Sequence, residues 1–345
     1  MNDYTNIIAD IRKLAEGKQP GGDIAKLLYE HGCFYLLSKI SERNEYTQRL
    51  QAESQLNKIC IRERYTVCQP LFEMLEQRRI PYAVIKGAVL SQAAYSDISV
   101  RKSGDIDFLI RRDDIDAVKS FMLQSGFVQG RVTEAGIVPF TRRELIFQAS
   151  LSHQAAPFVI EGKNPMCPYI NVDVNMDILW GESGRYSDMD FILSQTQSMD
   201  IHGIAVRKLS PAVEFIALCL HHYKDMNSIY LLAEGNFKLS LFCDIYFYLK
   251  HNAIDTDELK EVGEKLNITE FMYYCIFYAE KVFLGALETT KSEDILYTFG
   301  LDDEERTLWS VSFEERLFSE SFNEMFTGHL NDKDKEKIRM NLLMT

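Results

Sequence analysis

The sequence predicts an α+β fold in which a mixed-sheet core lies between a helical N-terminal segment and a helical C-terminal domain. Three observations support this prediction. Apolar residues follow helical spacing up to about residue 80, short β-rich runs alternate with helical patterns from Tyr82 onward, and helical spacing returns after Ser210. The predicted domains are therefore residues 1–80, 81–208 and 209–345.

The composition is typical of a globular protein, with 345 residues of which 46% are hydrophobic and 26% are charged. The 38 basic residues face 51 acidic ones, and the net charge of −13 makes nucleic acid the least favoured partner. The 7 cysteines are odd in number and form no CxxC pair, which favours reduced thiols in the cytoplasm over a disulfide framework. The N-terminus lacks the apolar region of a signal peptide and no apolar run is long enough to span a bilayer, so we expect a cytoplasmic protein without a membrane partner.

Three helical regions are predicted before the core. The first ends near Gly17, the second begins near Ala25 and continues past the His31-Gly32 break, and the third runs from about residue 45 to 79. The third region has Pro70 as its only strong breaker, and we expect this proline to bend or split the helix.

The predicted core alternates strands and helices. A strand at Tyr82–Ile85 ends at Lys86-Gly87, a helix follows at 88–95, a strand occupies Asp105–Ile110, and an amphipathic helix runs from Asp113 to Gln124. Further strands are predicted at 127–128, 145–149, 157–160 and 169–179.

The C-terminal part begins after a connecting loop and a short hairpin around His202-Gly203. Ser210 fits the N-cap of the next helix, Pro211 its first position, and Glu214 the spacing of a capping box. More helices are predicted at 238–250, 256–265, 268–286 and 303–318.

Asp105 and Asp107 are the first candidate functional residues. Alternating side chains of a strand would place both carboxylates on one face, and like charges held so close repel unless a cation lies between them. The pair therefore suggests a divalent metal site, although a DxD sequence also arises by chance at exposed strand ends. The strand from Ile170 onward alternates apolar and polar residues, and its open face carries Asp173 and Asp177. These two lie roughly 13 Å apart in a strand, so only one can join a compact site; Asp173 is favoured over Asp177.

The run from Ile80 to Ile110, IPYAVIKGAVLSQAAYSDISVRKSGDIDFLI, resembles the polymerase-beta-like nucleotidyltransferase superfamily. It is most similar to the bacterial branch of uncharacterised nucleotidyltransferases, in which the turn after the first strand is Lys-Gly. The matching residues are Lys86, Gly87, Leu90, Tyr95, Arg101, Asp105 and Asp107. Weaker likeness continues through INVDVNMDILW, LSPAVEFIALCLHHYKD and KLSLFCDI, so that it spans much of residues 45–250.

The resemblance implies transfer of a nucleotidyl group from a nucleoside triphosphate to an unidentified hydroxyl acceptor on a small molecule or a protein, with release of pyrophosphate. It implies Mg²⁺, or alternatively Mn²⁺, held by Asp105, Asp107 and Asp173, with Asp173 completing a second metal site or accepting the proton. The residues that it places at the nucleotide phosphates are Lys86, Gly87 and Arg101.

One departure from the superfamily keeps an alternative open. Better-characterised members have a serine at the phosphate turn, whereas this chain has Ala88. The alternative is a non-catalytic nucleotide-binding or partner-binding protein, antitoxin-like or regulatory, that retains the fold. A glycosyltransferase with a DxD motif is a third class, but it needs a large nucleotide-binding sheet before the motif, where helices are predicted.

His221 and His222 match the family pattern in the C-terminal part. Adjacent residues of a helix point about 100° apart, so we expect a packed or hydrogen-bonded histidine rather than two ligands of one metal. Lys238 and Asp244 also match family positions, with open roles. An aromatic-rich helical core is favoured over a base-stacking platform for Tyr223, Tyr230, Phe237, Phe242, Tyr246, Phe247 and Tyr248.

Overall fold

The computed structural model describes residues 4–151, 153–183, 185–227 and 238–283. The helices are α1 (Tyr4–Ala15), α2 (Ala25–Glu30), α3 (Phe34–Leu37), α4 (Glu45–Gln77), α5 (Gly87–Tyr95), α6 (Ile115–Gln124), α7 (Arg142–Leu151), α8 (Met189–Ser194), α9 (Pro211–Asn227), α10 (Leu239–His251), α11 (Thr256–Leu266) and α12 (Thr269–Phe283). The strands are β1 (Tyr82–Ile85), β2 (Asp105–Ile110), β3 (Val128–Thr133), β4 (Gly136–Pro139), β5 (Phe158–Glu161), β6 (Tyr169–Asn175), β7 (Thr196–Ile201) and β8 (Ile204–Leu209).

The backbone divides into two compact units. One comprises residues 51–214 and contains the sheet, and the other comprises residues up to 50 together with those from 215 onward. One of the two units thus combines both ends of the chain, whereas each of the three predicted domains is a continuous segment. The division into three domains stays a prediction.

The sheet has eight strands in the order β4-β3-β5-β6-β2-β1-β8-β7. β2 pairs antiparallel with β1 and parallel with β6, while β1 pairs parallel with β8. Parallel and antiparallel neighbours in one sheet confirm the predicted mixed sheet. Because β1 and β2 are antiparallel and Ile85 pairs with Asp107, the Lys86-Gly87 turn lies next to the start of β2, at the same end of the two strands.

The core of the sheet unit lies between one face of the sheet and the long helix α4. The side chains of α4 that join this core are Cys60, Ile61, Tyr65, Cys68, Leu71, Phe72, Met74 and Leu75. They pack with alternate residues of β2 and β6, among them Ile106, Phe108, Val172 and Val174. Pro70 lies within α4 and does not split it. Burial of this long apolar stripe outweighs the ~3 kcal/mol that an interior proline costs.

The predicted strand at 145–149 is wrong, because these residues lie in α7. The helix begins with a capping box in which the Thr141 backbone N–H donates to the Glu144 carboxylate and the Glu144 N–H donates to the Thr141 hydroxyl. Ile146 and Phe147 are 60% and 62% exposed, so the apolar residues that suggested a buried strand are largely outside the core. β4 and α8 were also absent from the sequence prediction.

Several other predictions are confirmed, some with different details. The β7–β8 hairpin turns at His202-Gly203, and α9 begins at Pro211. Within the described residues the Ser210 hydroxyl has no hydrogen-bond partner, and Glu214 accepts a hydrogen bond from Lys208 Nζ at 2.6 Å. The prediction of a capping box formed by Ser210 and Glu214 is therefore wrong.

The helices predicted after residue 238 form as α10, α11 and α12, whereas the one at 303–318 lies outside the described residues. Four aromatic side chains of α10 are buried, which confirms an aromatic core: Phe242, Tyr246, Phe247 and Tyr248. Tyr230 and Phe237 lie outside the described residues. In the described part of the chain, no helix has both the length and the apolar character needed to cross a membrane.

Candidate active site

The carboxylate cluster is assembled by the parallel pairing of β2 with β6. In this register Asp107 lies opposite Asp173, and Asp105 lies opposite Asn171. Residues of β2 alternate between faces, and Ile106 and Phe108 face the core beneath the sheet, so Asp105 and Asp107 lie on the other face. Asp173 belongs to the partly exposed residues of β6, whose alternate residues are buried. The register therefore brings together three carboxylates that the sequence separates by up to 68 positions.

Mutual repulsion and burial change the acidity of this cluster. Burial and the charge of Asp107 raise the pKa of Asp105 above its ordinary value. Burial, followed by the charges of Asp107 and Asp105, raises the pKa of Asp173 to about 6. A carboxyl group with this pKa is roughly half protonated at pH 6, whereas one with the ordinary value of 3.8 is almost fully ionised there. The cluster is therefore short of positive charge.

Lys86 is the cation in direct contact with the cluster. Its Nζ donates a hydrogen bond to Asp107 Oδ1 at 3.0 Å, and its charge lowers the pKa values of Asp105 and Asp173. The backbone of Lys86 has φ 57° and ψ −151°, a combination that is populated almost only by glycine. This conformation costs on the order of 1–3 kcal/mol, and such strain is most common where function requires it.

Gly87 follows with φ +45° and begins α5. A Cβ at this position would lie 3.0 Å from the Ser103 hydroxyl oxygen, so a larger residue would press against the loop before β2. α5 begins directly after Lys86, so its N-terminus lies next to the residue that contacts Asp107. A helix N-terminus with unpaired N–H groups attracts anions.

Two arginines act on Asp105 through their charges, and both lower its pKa. Arg101 was expected from the sequence; its backbone N–H donates to Ser91 Oγ at 3.1 Å and its carbonyl accepts from Asn57 Nδ2 at 3.0 Å. Arg64 of α4 was not expected. It is 8% exposed, and its Nε and Nη1 have no hydrogen-bond partner among the described residues. Sequence spacing gave no signal for it, because α4 is remote from the motif in the chain.

Asp177, the competing third carboxylate, is hydrogen-bonded to backbone N–H groups of the loop after β6. It accepts hydrogen bonds from the backbone N–H groups of Leu179 and Ser187 at 2.9 and 3.0 Å, and it lies 3.8 Å from His153 Nδ1. β6 ends at Asn175, earlier than the predicted end at residue 179, so Asp177 lies in the loop that follows. The geometry therefore favours Asp173 for the cluster.

Two amide side chains complete the cluster. Asn175 Nδ2 donates to Asp107 Oδ1 at 3.2 Å, and Gln154 makes a side-chain hydrogen bond to Asp173 that lowers its pKa. The alternation of β6 could have identified Asn175, because it lies on the same face as Asp173. Gln154 follows the segment that was wrongly predicted as a strand, so the sequence gave no signal for it.

Comparison with known proteins gives a family match and matches among solved structures. The profile of a protein family described as "Uncharacterised nucleotidyltransferase" matches residues 23–284. The solved structure of an antigenic nucleotidyltransferase-like protein from Paracoccidioides brasiliensis is similar with 16% sequence identity and a TM-score of 0.40, over 69% of this chain and 92% of that chain. No match was found among curated proteins. The stretch matched by the family includes Lys86, Gly87 and all three carboxylates of the cluster.

Proposed function

We propose that this chain, which belongs to the family of uncharacterised nucleotidyltransferases, transfers a nucleotidyl group. The group would move from a nucleoside triphosphate to a hydroxyl acceptor, with release of pyrophosphate. The observation that carries the proposal is the pairing of Asp107 with Asp173 beside the Lys86-Gly87 turn. This places a carboxylate cluster next to an anion-attracting helix terminus, which are the two halves of a site for a metal-bound triphosphate.

The carboxylates fit a Mg²⁺ or Mn²⁺ ion. Both ions prefer oxygen ligands, and the raised pKa values of Asp105 and Asp173 are those of a cluster that a dication would relieve. We assign the metal to Asp105, Asp107 and Asp173. When bound, the ion would neutralise charge on the triphosphate and lower the pKa of the attacking hydroxyl.

Asp173 is proposed either to complete the metal site or to accept the proton of the attacking hydroxyl group. In the second role, its metal-free pKa of about 6 leaves it mostly ionised at neutral pH and still basic enough to take that proton. The acceptor oxygen forms a bond to the α-phosphorus, the bond from this phosphorus to the bridging oxygen of the β-phosphate breaks, and the pair of electrons leaves with pyrophosphate. Gln154, which bonds the Asp173 side chain, holds its orientation.

The phosphates are assigned to the turn. Gly87 lets the substrate approach the backbone, the α5 N-terminus supplies N–H donors, and Lys86 supplies a charge that also contacts Asp107. Arg101 is assigned to the phosphates because its charge already reaches Asp105. Ala88 is 3% exposed and offers no hydroxyl, whereas the Ser103 hydroxyl lies beside Gly87 and donates to the Asp105 carbonyl oxygen at 3.1 Å.

The test compares nucleotide binding by wild type and two double variants. We expect ATP, or another nucleoside triphosphate, to raise the unfolding temperature of the wild type only when Mg²⁺ or Mn²⁺ is present. Asp105→Asn with Asp107→Asn removes two proposed ligands and should abolish the shift. Asp113→Asn with Asp116→Asn removes two exposed carboxylates that lie near the start of α6, and should leave the shift intact. An equal shift in all three proteins would refute the metal site.

A second candidate is a nucleotide-binding or partner-binding protein that does not turn over, which the buried Ala88 favours. A nucleotide labelled at its α-phosphate separates the two candidates. Appearance of pyrophosphate together with a labelled acceptor supports transfer. Metal-dependent binding without pyrophosphate release, across a panel of hydroxylated small molecules and protein acceptors, supports the non-catalytic role.

A further inference from the structure

The helical unit contains a second cluster of metal-ligating side chains, formed by His221, His222 and Asp225 near the C-terminus of α9. One ligand atom from each residue lies within 4.8 Å of the others. The expectation that adjacent histidines do not share an ion therefore stays a prediction that this cluster brings into question. The Cβ atoms diverge around the helix, and the two imidazole rings have centroids 5.6 Å apart.

His222 carries the decisive observation. The residue is fully buried, and its Nε2 lies 3.1 Å from Oδ2 of Asp244, a residue of α10. A carboxylate can only accept, so the proton of a neutral His222 ring lies on Nε2 and Nδ1 keeps its lone pair. Among the described residues Nδ1 has no hydrogen-bond partner. A buried nitrogen acceptor without a donor costs free energy unless a cation or another donor meets it.

The hydrogen bond between His222 and Asp244 is of the kind that usually orients a metal-bound histidine. Histidine ligands usually donate their other ring N–H to a carboxylate, which fixes the tautomer and makes the ligand nitrogen more basic. Asp244 holds that position relative to His222. The hydrogen-bonded histidine expected from the sequence is thus present, and its bond to Asp244 prepares Nδ1 for a ligand.

The other two side chains supply the remaining ligands and a route to solvent. His221 Nε2 lies 3.3 Å from Asp225 Oδ2, and the two side chains are 24% and 22% exposed. Two ligand atoms of a tetrahedral zinc ion are roughly 3.3 Å apart, given metal–ligand distances of about 2.0 Å. The negative end of the α9 dipole also favours a cation in the last turn of this helix.

We propose that His221, His222 and Asp225 bind a transition-metal ion, Zn²⁺ by preference, with water completing the coordination. Two imidazoles and one carboxylate select Zn²⁺ over Mg²⁺, which prefers an all-oxygen set. The site differs in chemistry from the carboxylate cluster and does not depend on the proposed transfer reaction. All three proposed ligands belong to α9, and the ion would be linked to α10 only through the hydrogen bond between His222 and Asp244.

The experiment measures Zn²⁺ binding to the full chain after metal removal with a chelator, by competition with a chromogenic zinc indicator. We expect one Zn²⁺ per wild-type chain, retained in excess Mg²⁺. His221→Gln and Asp225→Asn are partly exposed changes that should preserve the fold and weaken binding at least tenfold. Asp244→Asn should weaken it roughly 10-fold to 100-fold through the histidine that it orients.

Two controls keep the outcome decisive. His202→Asn removes an exposed histidine from the β7–β8 turn, where asparagine tolerates the φ of 55°, and should leave Zn²⁺ binding unchanged. Asp105→Asn with Asp107→Asn should also leave it unchanged. The proposal is overturned if the wild type binds no more Zn²⁺ than the His221→Gln protein. It is also overturned if the Asp105–Asp107 double variant loses Zn²⁺ while the His221→Gln protein retains it.

Discussion

Removal of the charge on Asp173 should stabilise the metal-free protein, although we assign this residue to catalysis. Asp173→Asn keeps the side-chain shape and an oxygen that can accept from Gln154, while it removes a carboxylate that the charges of Asp105 and Asp107 oppose. A carboxyl group whose folded-state pKa is raised binds more protons in the folded than in the unfolded protein, so its contribution to stability falls as pH rises. The window is set by the ordinary value of 3.8 and the folded-state value of about 6.

The magnitude follows from this difference. A shift of about 2 pKa units corresponds to roughly 3 kcal/mol of lost stability once the pH exceeds both values, and access of solvent makes this an upper bound. At pH 8 we therefore expect Asp173→Asn to be more stable than wild type by about 1–3 kcal/mol. At pH 5 the folded wild type is mostly protonated at this group, so roughly half of the difference should remain.

Urea unfolding at pH 8 and pH 5 in the presence of a chelator measures both quantities. The matched control is Asp113→Asn, because Asp113 is exposed near the start of α6 and should show a small difference that does not follow this pH window. A variant no more stable than wild type at pH 8 would contradict the electrostatic argument. An equal gain at both pH values would also contradict it, because the effect would then not arise from ionisation of Asp173.

Two further predictions concern the backbone. Lys86→Gly and Lys86→Ala lose the same ion pair, but only glycine relieves the φ of 57° and ψ of −151°, so the glycine variant should be more stable by about 1 kcal/mol in urea unfolding; equal stability would show that the turn is not strained. Gly162→Ala would place a Cβ directly on the carbonyl oxygen of Cys167 and should cost about 2 kcal/mol or more, whereas Gly104→Ala has no atom within 4 Å and should cost much less. Similar unfolding temperatures for these two alanine variants would contradict the close backbone approach at Gly162.

Local sequence patterns were sufficient for most elements of the sheet unit. The alternation of Asp105, Ile106 and Asp107 placed both carboxylates on one face, because side-chain direction in a strand depends only on position within that strand. The Lys86-Gly87 turn followed from the end of a short apolar run. The strand at 145–149 failed for the same local reason: an apolar run does not distinguish a strand from a helix, and the capping box at Thr141 outweighed it.

Long-range pairing decided the composition of the cluster. The sequence alone placed Asn171, Asp173 and Asn175 on one face of β6, and a register shift of two residues would keep that face while setting a different side chain opposite Asp107. Only the pairing of β2 with β6 sets Asp173 opposite Asp107. Only the folded chain brings Gln154 to Asp173 and the charge of Arg64 to Asp105.

The same distinction holds in the helical unit. The sequence gave two adjacent histidines on a helix, and the helix geometry alone argued against a shared ion. Packing of α9 against α10 placed Asp244 Oδ2 3.1 Å from His222 Nε2, and among the described residues it left Nδ1 without a hydrogen-bond partner. Residue types and their local spacing were thus determined by the sequence. Which groups meet, and with what protonation, was decided by tertiary structure, because burial and charge at a site come from segments far apart in the chain.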